Sequence, residues 1–326
     1  MKLAKYIIKR TLEVIPLIII VSLISFFIIR LSPVDPLAEL RLNPSISQET
    51  LEKEIKRLQL DKPIYIQYTY WAKSFIRGDL GYTSSGEKVS EKLKERIPNT
   101  LLLTIMVIFL TWTTGIPLGI LAAIRKETGI DRLLTILSSI GMAIPSFFFA
   151  ILMLLFAVKT GLFPVGGLTS YNFNELSIAG KIFDLSKHLV LPVTVLYAIS
   201  LSGLQRQMRA NMLEVLDSEY VKFARAKGLS EYKVIFKHAL RNAINPMITL
   251  LGFEFAGLLS GAALTEYVFQ YPGLGRLILE AVMKSDINLV MASLMMGTIM
   301  LILGNLIADI LLMLTDPRTR NVQEGE

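Results

Sequence analysis

The 326-residue chain contains no cysteine, which excludes disulfides, thiolate nucleophiles and cysteine-ligated metals. Histidine is almost as scarce. The two present, His188 and His238, lie far apart with no histidine partner nearby, so an HExxH zinc helix is ruled out. No GxxxxGK[ST] stretch occurs, and the chain has no such loop of its own to cradle nucleotide phosphates. Charge is thin too: 19% of the residues are charged, against about a quarter in soluble proteins. There is no tandem repeat and no low-complexity tract. No nucleophile–base or metal-ligand set is visible, which disfavours a membrane-bound enzyme.

What the chain has in excess is apolar sequence. Hydrophobic residues make up 52% and the mean hydropathy is +0.53. The excess is clustered in runs rather than spread at helix or strand period, which places the chain among membrane proteins. Six runs approach or exceed the roughly 20 residues a spanning helix needs: 11–31, 99–123, 133–158, 188–208, 244–265 and 288–314. The first follows Lys2, Lys5, Lys9 and Arg10, as in a signal peptide. It is too long for an h-region and no small-x-small site follows, so it reads as a retained first span. Gly115, Pro117 and Gly119 in the second run, and Gly141 and Pro145 in the third, mark close approach or kinks.

Six spans put both termini on one side. The stretch 206–241 carries eight Lys/Arg against four acids, whereas the opposite loops 159–187 and 266–287 carry three and two basic residues. The positive-inside rule makes 206–241 and both termini cytoplasmic. It also accounts for the net charge of +7 without a nucleic-acid partner. The segment 32–98 then falls outside, with eleven basic residues nearly balancing ten acids over a length at which the charge rule loses force. It reads as helical. Ser47 caps a helix with Leu51, Ile55 and Leu58 on one face, and Pro63 stops it. Tyr65, Tyr68, Ala72 and Phe75 face inward on a second helix ended by Gly78, with Trp71 also in this aromatic group. Val89, Leu93 and Ile97 mark a third helix before Pro98. Such a segment serves as a cap on the membrane domain, as a contact surface for an outer partner, or both.

The expected architecture is therefore all-α and polytopic. A cytoplasmic tail and first transmembrane helix occupy 1–31, a helical extracytoplasmic segment 32–98, a core with five further transmembrane helices 99–316, and a cytoplasmic tail 317–326. Between the fourth and fifth spans lies a polar, basic island, DSEYVKFARAKGLSEYKVIFKHALRNAINP (217–246). Asp217 or Ser218 caps a short helix with Leu216, Tyr220, Phe223 and Ala224 on one face. Gly228 makes a corner, and Ser230 caps a second helix running through Val234, Ile235, Ala239 and Leu240. On physics alone this is either an amphipathic helix whose lysines touch anionic lipid headgroups or a docking element for a soluble partner.

The island resembles the EAA loop of ATP-binding-cassette importer permeases, in the form used by the dipeptide/oligopeptide/nickel branch. Tyr220, Val221, Ala224, Arg225, Ala226, Lys227, Gly228 and Leu229 reproduce that branch's pattern, while Lys222 and Phe223 replace the first two positions of the EAA triplet. LSPVDP (31–36), RGDLGYT (77–83), ERIPNTLLLT (95–104), FPVGG (163–167), HLVLP (188–192), EYVFQYPGLGR (266–276) and DPRTR (316–320) follow the branch in order. The resemblance implies a binding-protein-dependent transport component of a prokaryotic inner membrane, working by alternating access, not an enzyme but a conduit for di- or oligopeptides. It implies two cytoplasmic ATP-binding subunits that use ATP and Mg, a second homologous permease and an extracytoplasmic solute-binding protein. The chain itself would bind no cofactor and no metal. Glu219, Tyr220, Phe223, Ala224, Arg225, Ala226, Lys227, Gly228 and Leu229 would form the coupling helix against an ATPase, with Ala224 and Ala226 permitting close approach and Gly228 the turn.

The same machinery serves oligosaccharides, nickel or other solutes, so the cargo stays open. A stand-alone secondary transporter predicts inverted repeats or mid-membrane charge pairs and leaves the island unexplained. Glu254, inside the fifth span, either lines the pathway and meets a cationic group such as a peptide amine or makes a buried polar contact. Small residues around it, Gly252, Ala256, Gly257, Ser260 and Gly261, suit helix contact. Asp309 is expected to pair with a basic residue, Arg206 and Arg209 to anchor span four, and His188 to sit at the outer interface. His238 is expected to serve contacts of the island.

Overall fold

The computed structural model describes residues 2–31, 41, 47–57 and 59–315; within the helices, residues 2–11, 50, 51, 53, 54, 57, 256, 259–261, 308 and 311–315 are described by their backbone alone. Leu58, most of LSPVDP and all of DPRTR lie outside the described residues, as do the side chains of Leu51, Ala256 and Ser260. Among the described residues the chain is all-α, with one isolated bridge between Tyr82 and Lys88. It forms two compact units. One comprises residues 1–100 and 272–302, the other 101–271 and 303–326.

In the first unit, α1 (Lys2–Leu31) meets α3 (Ile64–Ile76), which follows the short α2 (Gln48–Arg57). Ser22 shares a 2.8 Å hydrogen bond with the Tyr68 hydroxyl, and Arg30 donates to the Gln67 side chain. The Phe26 ring lies edge-on to Tyr68, and Trp71 stacks 5.4 Å from Phe75. The inward face of α3 is thus Tyr68, Trp71, Ala72 and Phe75. Tyr65, expected on it, is exposed, because its position points away from the side that α1 covers. Gly78 ends α3 in the left-handed region (φ 79°), where the Asp79 amide reaches back to the Ser74 carbonyl.

The loop after Gly78, which holds most of RGDLGYT, is fastened to the start of α13 (Ile287–Thr315). Asp286 accepts the Ser84 amide at 2.7 Å and the Leu289 amide at 3.0 Å, and Asn288 donates to the Tyr82 carbonyl. Lys92 holds Glu87 at 2.9 Å and keeps its carboxyl below the ordinary carboxylate value. Thr100 accepts the Leu274 amide at the start of α12 (Leu274–Met283), and Asn99 donates to the Pro272 carbonyl. Two of the family-like motifs, ERIPNT and YPGLGR, are therefore structural partners.

In the second unit the long α7 (Ile178–Leu216) is surrounded by α4 (Val89–Ile124), α5 (Gly129–Ala143), α6 (Ser146–Thr160) and α11 (Asn245–Val268). Glycines set the approach. A Cβ on Gly119 would meet the Met208 Cβ at 2.6 Å and the Gln205 carbonyl at 2.8 Å. One turn earlier, a Cβ on Gly115 would meet Leu204 at 3.0 Å. Gly141 leaves the room that Ser202 fills, and Ser138 donates to Gln205. The Gly167 amide donates to the Phe269 carbonyl at 2.9 Å, so FPVGG closes on EYVFQY. Tyr271 is wholly buried, and burial first, then the nearby Glu266, pushes its phenol above its ordinary value.

Helix lengths depart from the apolar runs. The helix marked by Val89, Leu93 and Ile97 is not separate but continuous with the next span through Pro98, giving a 36-residue α4. Likewise α7 begins at Ile178, capped by Ser177 and running through Pro192, and has 39 residues. Both extend past the hydrocarbon-length run with polar residues that still favour helix. The third run, expected as one span, is broken. Ile144 is extended and Pro145 opens α6, and the two 15-residue arms meet at 97°. The residue before proline is driven out of the α region, and proline brings no amide donor. Among the described residues, four helices are long and apolar enough to cross a membrane, or five when the bent pair is counted as one broken span. The expected fifth run lies on α11, a helix of 24 residues.

Candidate functional site

The island folds as a helix, a glycine corner and a second helical stretch. The first part, α8 (Glu219–Ala226), starts three residues after α7 ends. Ser218 occupies its N-cap in extended conformation, but its hydroxyl donates back to the Val215 carbonyl instead of capping, and Asp217 closes α7. The second stretch runs through α9 (Glu231–Lys233), a six-residue π-helix (Val234–Ala239) and α10 (Leu240–Ala243).

The buried side of α8 is Val221 and Ala224, which join Met208, Met212, Val234, Ile235, Ala239, Ala243 and Met247 in one core, with Leu229 against it. Tyr220 and Phe223, expected on the same side as Ala224, are exposed at 43% and 61%. The buried side is centred between positions 221 and 224, which leaves Tyr220 at its rim and Phe223 well outside it. Ala224 and Leu229 therefore seat the helix on its own chain. Glu219, Tyr220, Phe223, Arg225, Ala226, Lys227 and Gly228 are the site residues left facing outward.

That outward surface is held in shape. Lys227 lies 4.6 Å over the Phe223 ring, Asn242 donates to the Tyr220 hydroxyl at 2.7 Å, and Lys222 pairs with Glu219 at 2.9 Å. Arg225 reaches across the corner to Glu231, with Nε at 3.0 Å and Nη2 at 3.4 Å from its two oxygens. Gly228 is left-handed (φ 77°), and a Cβ added there would meet nothing within 4 Å, so conformation alone demands glycine. The π-helix matches the spacing of the buried side chains. Val234 and Ala239 stand five apart where an α-helix would bring His238 beneath Val234, and the wider turn keeps Lys237 exposed and His238 half-buried. An exposed aromatic pair, Tyr232 and Phe236 at 4.8 Å, extends the surface, and no spacing rule singles it out in the sequence.

Inside the bundle, Glu254 is half-buried. The Trp112 indole donates to its Oε2 at 2.6 Å, and Ser200 is a second polar neighbour of the carboxylate, too far from Oε1 for a full hydrogen bond. Glu254 lies eight residues past the island's last residue, Pro246, on α11, and its partner Trp112 packs against the core that Val221 and Ala224 share. His188 is buried, and its Nδ1 donates to the Asp184 carbonyl at 2.9 Å, while Asp184 accepts the amide and hydroxyl of Ser170. Arg206 is exposed on α7, whereas Arg209 makes a two-point ion pair with Asp131. Asp309 is half-buried on α13. Trp112 and Asp131 are absent from the sequence-based candidates, since each acquires its role only through a partner far along the chain.

The family description "Binding-protein-dependent transport system inner membrane component" matches residues 115–321, and the corresponding N-terminal description matches residues 3–104. Among similar proteins, "Oligopeptide transport system permease protein AppB" of Bacillus subtilis (strain 168) is 40% identical over 319 residues, covering 97% of this chain and 99% of the relative. "Di/tripeptide transport system permease protein DppB" of Pseudomonas aeruginosa (strain UCBPP-PA14) is 35% identical, covering 97% and 98%. "Dipeptide transport system permease protein DppB" of Escherichia coli (strain K12) is 34% identical, covering 97% and 99%.

Proposed function

The chain belongs to the family of inner-membrane components of binding-protein-dependent transport systems, and from that membership we propose that it carries di- or oligopeptides inward by alternating access, driven by ATPase subunits docked on α8. It is a multi-pass permease subunit of an ATP-binding-cassette importer. The relatives' names favour peptides over the oligosaccharides or nickel that the same machinery can serve. In this reading two ATP-binding subunits, a second homologous permease and an extracytoplasmic solute-binding protein complete the importer. The ATPases use ATP and Mg, and this chain binds no cofactor and catalyses no reaction. Its termini and residues 217–246 are cytoplasmic.

The observation that carries the docking role is the exposed Tyr220–Phe223–Lys227 surface on a helix whose other face is locked into the bundle core. A helix held this way moves as a body with α7, so closure of the ATPases is transmitted rather than absorbed. Large aromatics clustered on a polar surface are the usual anchors of a protein interface. The second helical stretch adds Tyr232 and Phe236 beside it. Inside the membrane, the Glu254 carboxylate, with Trp112 and Ser200 as its polar neighbours, is suited to a peptide's terminal ammonium along the pathway.

Phe223→Glu tests the docking role in the purified importer. It places a carboxylate where an apolar ring is buried on docking, and ATPase co-purification is expected to weaken by about tenfold or more. Peptide uptake into proteoliposomes should fall in step. Full co-purification and uptake by this variant would remove α8 as the contact.

A further inference from the structure

The second unit holds an ion pair that neither docking nor solute contact uses. Asp131, in the first turn of α5, is 3% exposed. Its carboxylate takes the Arg209 guanidinium at two points, Nε to Oδ1 at 2.6 Å and Nη2 to Oδ2 at 2.8 Å. The Glu127 amide adds a third bond to Oδ2 at 2.9 Å. That amide belongs to the turn joining α4 to α5, where Glu127 itself is left-handed (φ 64°). One carboxylate thus ties together the end of α4, the start of α5 and the last third of α7.

Its position gives the tie a mechanical meaning. Arg209 stands two turns before Asp217, the residue that closes α7, and α8 follows at once. Deeper in the bundle the same three helices touch through Gly119 against Met208, Gly141 against Ser202 and Ser138 against Gln205. These contacts stop short of the end of α7. The last two turns of α7 share a core with α4 through Met212, Ile120 and Ala123, and Asn211 donates to the Ala243 carbonyl at 3.3 Å. Among the described residues, the only hydrogen bonds from those turns to α5 are those of Arg209, and without them α5 would be free to lag when α8 is pushed. Two parallel N–H···O bonds fix direction as well as distance, which a single-point contact does not. A paired charge of this kind adds little net stability compared with an apolar pair, so what it supplies here is direction.

We propose that Asp131 and Arg209 are positioning residues for coupling: a clamp that makes α4, α5 and the end of α7 move as one body when α8 is displaced. The proposal rests on α8 being the ATPase contact. The two are read separately, because loss of docking appears as failed co-purification and loss of the clamp appears in complexes that co-purify.

The test uses the complete importer in proteoliposomes, measuring peptide transported per ATP hydrolysed. Asp131→Asn keeps the shape and removes the charge, and Arg209→Lys keeps the charge and removes the two-point fork. Both are expected to assemble and hydrolyse ATP, with transport per ATP lowered about five- to tenfold. The chain has no cysteine, so with partner subunits made cysteine-free a D131C/R209C pair can be joined by a short thiol crosslinker without background labelling. That pair should be uncoupled before crosslinking and regain parental coupling after it. An unchanged ratio in Asp131→Asn overturns the proposal. So does a crosslinked pair that stays uncoupled, or failure of both conservative variants to assemble, which would make the ion pair a stability element only.

Discussion

A carboxylate with only an indole and a serine for polar neighbours is costly among apolar helices, and Glu254, beside Trp112 and Ser200, is such a group. Glu254→Gln preserves the side-chain shape and an acceptor for the Trp112 indole while removing the charge. If the carboxylate meets the terminal ammonium, the KM for a free dipeptide should rise about tenfold, and uptake of an N-acetylated peptide should not change. Equal kinetics on both substrates would leave Glu254 a packing residue. The sequence marks Glu254 because an acid in an apolar run stands out. It does not mark Trp112, 142 positions away, nor the match of Asp131 to Arg209 across 78 positions. A side chain's own neighbours give no signal of a partner brought by another helix.

Elements were legible to the degree that local chemistry decides them. The glycine corner of the island follows from residue type, because a left-handed residue between two helical stretches favours glycine. Gly228 has open space around it, so the strain of Gly228→Ala is purely conformational, about 1–2 kcal/mol. Gly228→Asn should cost less, since asparagine tolerates the left-handed region. Thermal unfolding of the purified subunit in detergent measures both, and equal losses for the two would show that space, not conformation, selects glycine. Which way α8 faces was not legible. Tyr220, Val221, Phe223 and Ala224 are all apolar, and hydrophobicity does not separate a side turned to its own core from one turned to a partner. The lengths of α4 and α7 were hidden for another reason: hydropathy marks only the part suited to lipid, while helix continues into polar sequence on backbone preference alone.

For the whole molecule, the charge pattern predicts sidedness. Single cysteines introduced into the cysteine-free chain report it directly. In intact cells, Lys222→Cys should resist a membrane-impermeant maleimide until the membrane is opened, and Ser84→Cys should label at once. The reverse pattern would invert the orientation proposed for the importer. The all-α class, the main apolar runs and the order of motifs were readable because they are properties of local composition and spacing. Why the motifs matter was not. ERIPNT and YPGLGR, or FPVGG and EYVFQY, look like separate signatures until Thr100 caps α12 and Gly167 bonds Phe269.

The break at Pro145 has a consequence for membrane thickness. Each arm, α5 and α6, is about 22 Å long, too short to cross about 30 Å of hydrocarbon by itself. Joined straight they would make a rod of about 45 Å and overshoot by half. At 97°, with both arms tilted equally, each contributes about 15 Å along the bilayer normal, and the zigzag matches the hydrocarbon depth. Proline here sets a length: thirty helical residues are folded into the thickness that twenty would fill.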